Sequence, residues 1–505
     1  MQRQLTRIFS IGFALVWGWI FLNSILRWQY NGLAAAAAGA VLLGGAFAVV
    51  RFAQPRIDEI SEKKFRIGIT AALLLYGVVL GVMGFLLAEV PIMDMETVLQ
   101  SLPDFLDDGV PQVWGAYYVI CNNNLGLALL LTGWFKIMGM FGIAPNTETG
   151  IYAGIVLNVL MIFAAVVLVC LLARRILRSN SAVALAFLMC VGFLPFILWA
   201  PCFYSDTLSL PFGLLALLLW TYYRKEKQTG KRVLLLVLMA AAAFVGYAVK
   251  GSVAVVLIAL LIQLFLEKSP KQAALGGVTL LLVFALCLSG YKAWQKSGLL
   301  DFSVEDAEGF PIELWFAYGS TGDGNYSDAI CQAAKDLPNM DQRRQMLRKQ
   351  IADNYASYTP VGLADFMTRK ASITWGNGLY DAQEFLATPL KANWTHRFIL
   401  AGQPGYMPMV YYCQAYQFLL MALVLAGAIH AAVTARPGTL TLARIGVFGL
   451  VLFLSLWETK ARYSFNFAPI LILLAAAALW QIAQPRRIGK DKQKWFSAKK
   501  VQKKL

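Results

Sequence analysis

Trp457-Glu458-Thr459-Lys460-Ala461-Arg462-Tyr463 is an ionisable island between two nearly charge-free apolar runs, residues 442–456 and 464–482. Charge this close to hydrocarbon is costly, so such residues usually line a substrate path or face an anionic ligand. The plainer alternative is a short solvated loop. Two further interruptions, Tyr204-Ser205-Asp206 and Val249-Lys250-Gly251, fall on the same side of the topology below, where a long loop carrying Asp94 joins them. That convergence favours a functional island.

The 505 residues are 59% hydrophobic and 14% charged, with a mean hydropathy of +0.60, which points to a polytopic membrane protein and away from soluble domains. With roughly 20 apolar residues needed to cross a bilayer, twelve candidate spans emerge. They lie near 9–28, 32–51, 66–89, 150–173, 181–200, 204–223, 232–249, 250–267, 272–291, 408–430, 440–457 and 462–483.

Loop charge sets the orientation. With Met1 in the cytoplasm, the basic stretches 51–66, 174–178, 224–232, 268–271 and 436–444 are all inside, while 89–121 and 201–204 outside hold no Lys or Arg. Both termini are then cytoplasmic in a multi-pass cell-membrane protein. The tail 484–505, with nine Lys or Arg, is expected against anionic headgroups. A membrane surface thereby accounts for the net charge of +16, and no nucleic-acid partner is implied. The first apolar segment is long for a signal peptide and runs into a second span, so it reads as an uncleaved anchor.

Two segments break the rhythm of helix and loop. Residues 89–149 open with Asp94, Glu96, Asp104, Asp107 and Asp108 and continue into the apolar stretch 125–141. Were that stretch a span, the Arg174–Arg178 cluster would move outside, so it is expected to be an interfacial helix flanked by the aromatics Trp114, Tyr117, Tyr118 and Trp134. Residues 291–405 have ordinary soluble composition and should form a small extracytoplasmic domain, with Gly322-Asp323-Gly324-Asn325 as a turn. The implied organisation is an N-terminal hairpin and loop (1–65), a membrane core (66–291), the outer domain (292–407), C-terminal spans (408–483) and the basic tail. Seven scattered cysteines lack CxxC spacing, and His396 and His430 cannot build a metal site together.

A carboxylate at a membrane boundary can act as general base on an incoming hydroxyl. Cations beside it can stabilise charge building on a leaving phosphate, a task suited to the arginine fork. Asp94, Asp206, Lys250, Glu458, Lys460 and Arg462 together suggest sugar transfer from a lipid-linked phosphosugar at the outer leaflet. A transporter or flippase for lipid-linked envelope precursors would also concentrate charge this way.

The order of parts resembles the GT-C superfamily of polyprenyl-phosphate-sugar-dependent glycosyltransferases, especially multispanning members from Gram-positive bacteria and related in architecture to the protein mannosyltransferases. Asp94-Met95-Glu96-Thr97-Val98-Leu99 resembles the acidic start of the superfamily's first outer loop. Asn122-Asn123-Asn124-Leu125-Gly126-Leu127 is similar to the element opening its juxtamembrane helix, with Asn122 where Pro is common. Tyr204-Ser205-Asp206-Thr207-Leu208-Ser209-Leu210-Pro211 is similar to the entry of a later span. Residues 310–328 resemble a Pro-containing stretch and turn of the outer domain, and Glu458-Thr459-Lys460-Ala461-Arg462-Tyr463 resembles Glu-x-x-x-Arg-Tyr at the last span. The resemblance covers about residues 66–483; two additional spans precede it.

It implies an all-α polytopic fold and inverting transfer of a hexose or pentose to an envelope glycan, lipid or protein. Asp94 would be the catalytic base, and Arg462, Lys460 and Lys250 would contact the donor phosphate. Asp206, Tyr204, Asn123, Asn124, Glu458 and Tyr463 would orient substrate. No cofactor or metal ligand is implied, and a divalent requirement stays open. Each residue has a plainer alternative: Asp94 as one more solvated loop acid, Asp206 and Asn122–Asn124 as helix caps, Lys250 snorkelling to headgroups, and Arg462 balancing Glu458.

Overall fold

Polar residues at the helix starts fix where the apolar runs begin to coil. The side chains of Asn31, Thr147, Ser179, Ser327, Asn339 and Thr359 each accept a backbone N–H of the first turn of the helix that follows. The computed structural model describes residues 2–484 except 108, 112 and 301. The basic tail beyond 484 and Asp108 therefore lie outside the described residues. These form helices throughout, and the one β-type contact among them is an isolated bridge between Glu89 and Pro389.

Nine described helices are long and apolar enough to cross a bilayer: Gln2–Arg27, Gly32–Glu59, Glu62–Leu86, Glu148–Leu177, Thr229–Val249, Pro270–Leu299, Tyr406–Thr434, Thr439–Leu456 and Ala461–Ala483. The other three expected spans are short or broken. Residues 181–200 become helix Asn180–Gly192 followed by a turn starting at Pro195, and 204–223 become the turn Ser205–Leu208 and helix Leu210–Tyr223. Residues 250–267 become a short 3₁₀ turn and helix Ala254–Glu267. Non-helical backbone at such depth is tolerated where it is buried in protein or lines a cavity.

Burial ranks the spans. The last, Ala461–Ala483, is 83% buried within the bundle, against 17% for Gly32–Glu59 and Glu62–Leu86. Its Ala475–Ala478 run lets neighbouring backbones come close, as small residues do where burial alone gives no drive between helices. The peripheral pair instead exposes Leu33, Val41, Phe52, Ile67 and Leu74, the face a bilayer would cover. Arg444, expected in a cytoplasmic loop, sits buried inside helix Thr439–Leu456 and donates to Gly427 O at 3.0 Å.

The stretch 125–141 forms helix Leu125–Gly139, and its 15 residues fall short of a span. Of its expected interfacial aromatics, Tyr118 is fully buried, edge-on to Phe105 at 5.4 Å and hydrogen-bonded to Ser101. It is a packing residue.

The segment expected outside, 292–407, has two parts among the described residues. Residues 302–357 share a small core of Leu314, Ala317, Tyr318, Cys331, Ala334 and Leu347. Buried Arg343 ties it together by donating to the carbonyls of Asp306, Gly309, Ala334 and Leu337. Helix Pro360–Gly376 packs instead on the first span, through Trp17 against Trp375 (5.3 Å), Trp19 Nε1 donating to Thr368 and Arg27 paired with Asp365. Beneath the site lies an aromatic floor. Phe465 stacks on Trp199 at 5.2 Å and touches Tyr380 at 5.4 Å, while Phe385 meets Trp199 at 5.2 Å and Tyr204 at 6.2 Å.

The inside-out assignment has a direct test. In a cysteine-free background, a cysteine at exposed Val361 should react with a membrane-impermeant maleimide in intact cells, and one at exposed Gln228 should react only after permeabilisation. The reverse pattern overturns the orientation.

Candidate active site

The island is not a solvated loop. Its backbone is extended at Trp457 (ψ 169°) and Lys460 (φ −148°, ψ 139°), then coils from Ala461 onward. Glu458, Thr459 and Ala461 are buried. The segment expected outside the membrane grips it: Thr459 N donates to Gly324 O at 2.7 Å, Trp315 stacks on Trp457, and Lys370 donates to the carbonyls of Gly319 and Trp457. Burial pushes the Lys370 ammonium down to about 7. Gly324 is required here, since its φ is +80° and a Cβ would stand 2.3 Å from Thr459 Oγ1.

Around the island the structure gathers the expected residues from distant segments. Asp206 is fully buried and carries two cations: Lys250 Nζ donates to Oδ1 at 2.5 Å and Arg462 Nη1 to Oδ2 at 3.1 Å. The guanidinium lies among the rings of Tyr204, Phe385 and Tyr463 at 5.3, 5.7 and 5.1 Å. Three plainer readings give way. Asp206 caps no helix, because the residue before the turn is Tyr204 and makes no side-chain cap. Lys250 is only 11% exposed and does not snorkel. Arg462 pairs with Asp206, while Glu458 accepts the Tyr463 hydroxyl at 2.9 Å. Burial holds the Glu458 carboxyl above its usual range.

Asp94 follows Met93, a non-glycine residue at φ 54°, and begins helix Met93–Asp107. Residues forced into this region cost energy and often mark sites. Its half-buried carboxylate accepts Tyr117 OH at 3.1 Å on Oδ1 and Tyr204 OH at 3.0 Å on Oδ2. Asn124 Nδ2 donates to the Tyr117 oxygen at 2.6 Å, and Asn123 Nδ2 to Asn124 Oδ1 at 3.1 Å. Asn124 therefore braces the phenol and makes no cap bond to its helix. Gly126 allows a close approach here: a Cβ there would collide with Ala248 O at 1.8 Å, so only glycine lets this helix start press against the end of helix Thr229–Val249.

Sequence reasoning passed over Asp381 and Glu384. Tyr380 and Asp381 are consecutive left-handed residues, at φ 53° and 60°. Asp381 accepts the backbone N–H of Arg462 at 3.1 Å on one oxygen and Asn377 Nδ2 at 2.8 Å on the other. Burial first, then Glu384, holds the Asp381 carboxyl above its usual range. Glu384 in turn faces Lys460 at 3.5 Å. Gln414 clamps the loop through Gly376 O and Gly378 N, and Gln417 through Trp375 O and Tyr380 OH. Tyr117 was expected only as an interfacial aromatic, yet it holds Asp94. All seven cysteines are unpaired.

Beside the site, Glu89 is buried with His396 Nε2 3.6 Å from its carboxylate, and burial pushes it from 4.5 to about 8. The folded state thus keeps a proton that the unfolded state releases. The Glu89 contribution to stability should fall as pH rises from about 5 to about 8 and level off above. Thermal melts of Glu89→Gln should lose that slope; an unchanged slope would assign it elsewhere.

No curated protein sequence matches the chain. Two solved structures are similar in part. The archaeal oligosaccharyltransferase AglB from Archaeoglobus fulgidus, in complex with an inhibitory peptide and a dolichol-phosphate, is 13% identical, with a TM-score of 0.39 over 80% of this chain and 50% of that one. ArnT from Cupriavidus metallidurans, bound to undecaprenyl phosphate, is 11% identical, with a TM-score of 0.35 over 82% of this chain and 77% of that one. The chain spans about half the length of the oligosaccharyltransferase. A family model described as conserved hypothetical integral membrane protein matches residues 1–483, and the chain, a multispanning helical membrane protein, belongs to that family.

Proposed function

We propose that the chain is a GT-C-type glycosyltransferase that moves a hexose or pentose from a polyprenyl-phosphate donor to an envelope glycan, lipid or protein at the outer face of the cell membrane. The observation that carries this reading is the Asp94 carboxylate linked through Tyr204 to the Asp206–Lys250–Arg462 cluster.

Asp94 takes the proton of the acceptor hydroxyl as that oxygen attacks the anomeric carbon. The carbon–oxygen bond to phosphate breaks on the opposite face, giving inversion, and the electron pair leaves with polyprenyl phosphate. Tyr117 and Tyr204 aim the carboxylate. Asp206 between Lys250 and Arg462 leaves a net charge of about +1, matched to a phosphodiester and more strongly attracted once a second negative charge develops. Lys460 stands at the rim with Glu384, and Asn123, Asn124, Glu458 and Tyr463 hold the surrounding groups in register. The scheme uses no cofactor.

Purified chain in liposomes, given a polyprenyl-phosphate [14C]sugar and envelope-derived acceptors, should release polyprenyl phosphate and label the acceptor. Movement of intact donor across the bilayer with no release would make it a transporter.

A further inference from the structure

A second polar cavity opens at the outer ends of the first span, helix Pro360–Gly376 and helix Tyr406–Thr434, with a volume of about 400 Å³. This lies within the ~300–1,000 Å³ typical of small-molecule sites. Trp28 and Tyr30, from the link after the first span, offer aromatic surface and are fixed edge-on to each other at 5.2 Å, with Tyr411 5.1 Å from Trp28. Ser372, Asn377 and Gln383 add hydroxyl and amide groups, and the Gln383 side-chain carbonyl has no hydrogen-bond partner among the described residues. Rings for an apolar C–H face and amides for hydroxyls are the chemistry of a sugar site.

Charge narrows the ligand. Both arginines at the cavity are ion-paired, Arg27 with Asp365 at 2.5 Å, and Arg369 with Asp323 at 3.1 Å and Asp365 at 3.3 Å. With its cations already matched, the cavity favours an uncharged ligand over a phosphate. Position narrows it further. Asn377 lines the cavity and donates to Asp381, which accepts the Arg462 N–H, so two hydrogen bonds separate this cavity from the phosphate-binding cations. Asn377 and Asp381 thus stand between the cavity and those cations, which favours a sugar unit other than the one bonded to the donor phosphate.

We propose that this cavity is a remote subsite for an uncharged sugar unit of the acceptor glycan, so that the enzyme recognises an acceptor several units long. The proposal rests on the transferase reading above. It gives the N-terminal span a role, since that span and its following link form one wall.

The test uses the full chain in nanodiscs. Oligosaccharides released by mild acid from the envelope of cells carrying the chain, separated by charge and length, are titrated by calorimetry against wild type, Ser372→Trp and Gln383→Ala. Undecaprenyl phosphate is titrated in parallel, and thermal midpoints are recorded. The expected result is binding of the longer neutral fractions, weakened at least about tenfold by Ser372→Trp and a few-fold by Gln383→Ala, with lipid phosphate binding unchanged. Should Ser372→Trp lower the thermal midpoint, Gln383→Ala decides. Equal binding by wild type and variants, preference for anionic fractions, or no binding of neutral fractions overturns the subsite. Variant-sensitive glycan binding without sugar transfer would instead overturn the transferase reading and leave a glycan-binding cavity. Transfer with variant-insensitive binding would overturn the subsite alone.

Discussion

Asp94→Asn is expected to lower turnover by about 100-fold or more, with donor affinity close to wild type. Asparagine keeps the shape of the carboxylate and can still accept one phenol, but it cannot take the acceptor's proton. The informative control is Asp104→Asn in the same helix, where Asp104 Oδ2 accepts Val113 N at 3.0 Å. That variant should keep near-normal turnover. Tyr117→Phe and Tyr204→Phe should each cost less than Asp94→Asn, because the base survives and only its aim loosens. Equal losses at Asp94 and Asp104, measured with a polyprenyl-phosphate sugar in nanodiscs, would show that the charge of the acidic helix is what matters.

Arg462→Ala should be the more damaging substitution for binding. It removes one cation from the Asp206 cluster, so the positive charge available to a phosphate drops from about +1 to about zero. Loss of donor affinity and a fall in turnover of about 100- to 1,000-fold are expected together, since the phosphate is charged before and during transfer. Arg462→Lys should also be impaired, because a point charge reproduces neither the planar fork nor its contacts with three rings. If Arg462 serves only to balance Asp206, exchanging the two residues (Asp206→Arg with Arg462→Asp) restores activity. The exchange should stay inactive while folding normally, and recovery would sink the phosphate assignment.

The parts of this arrangement that were legible in the sequence are those where charge interrupts hydrocarbon. Asp206, Lys250 and the island stand out because so little of their surroundings is polar. Partnership was less legible. Glu458 and Arg462 have the spacing of neighbours on one helical face, but the extended backbone at Lys460 turns them apart, and Arg462 meets an acid 256 residues away. Asp381 and Glu384 escaped because acids in a stretch of soluble composition are unremarkable one at a time. Tyr117 escaped because an aromatic beside a membrane boundary is expected there without chemistry. Three of the twelve expected spans are broken in the structure, at Pro195, at the turn before Pro211 and after Lys250, and two of these breaks deliver Asp206 and Lys250 to the site.

The sharing of Asp206 by two cations also sets an order of events during synthesis. Lys250 follows Asp206 by 44 residues, so the two can neutralise each other while the ribosome is still making residues 292–407. Arg462 arrives 256 residues after Asp206. At ordinary elongation rates of roughly 5–20 residues per second, that is a delay of roughly 10–50 s. Throughout it the nascent bundle holds a neutral pair in place of a lone buried carboxylate, and the last span inserts beside an acid able to receive its arginine. The site's charge is thus completed by the last of the described spans, and a chain stopped before the island would be left with a paired cluster that lacks its excess positive charge.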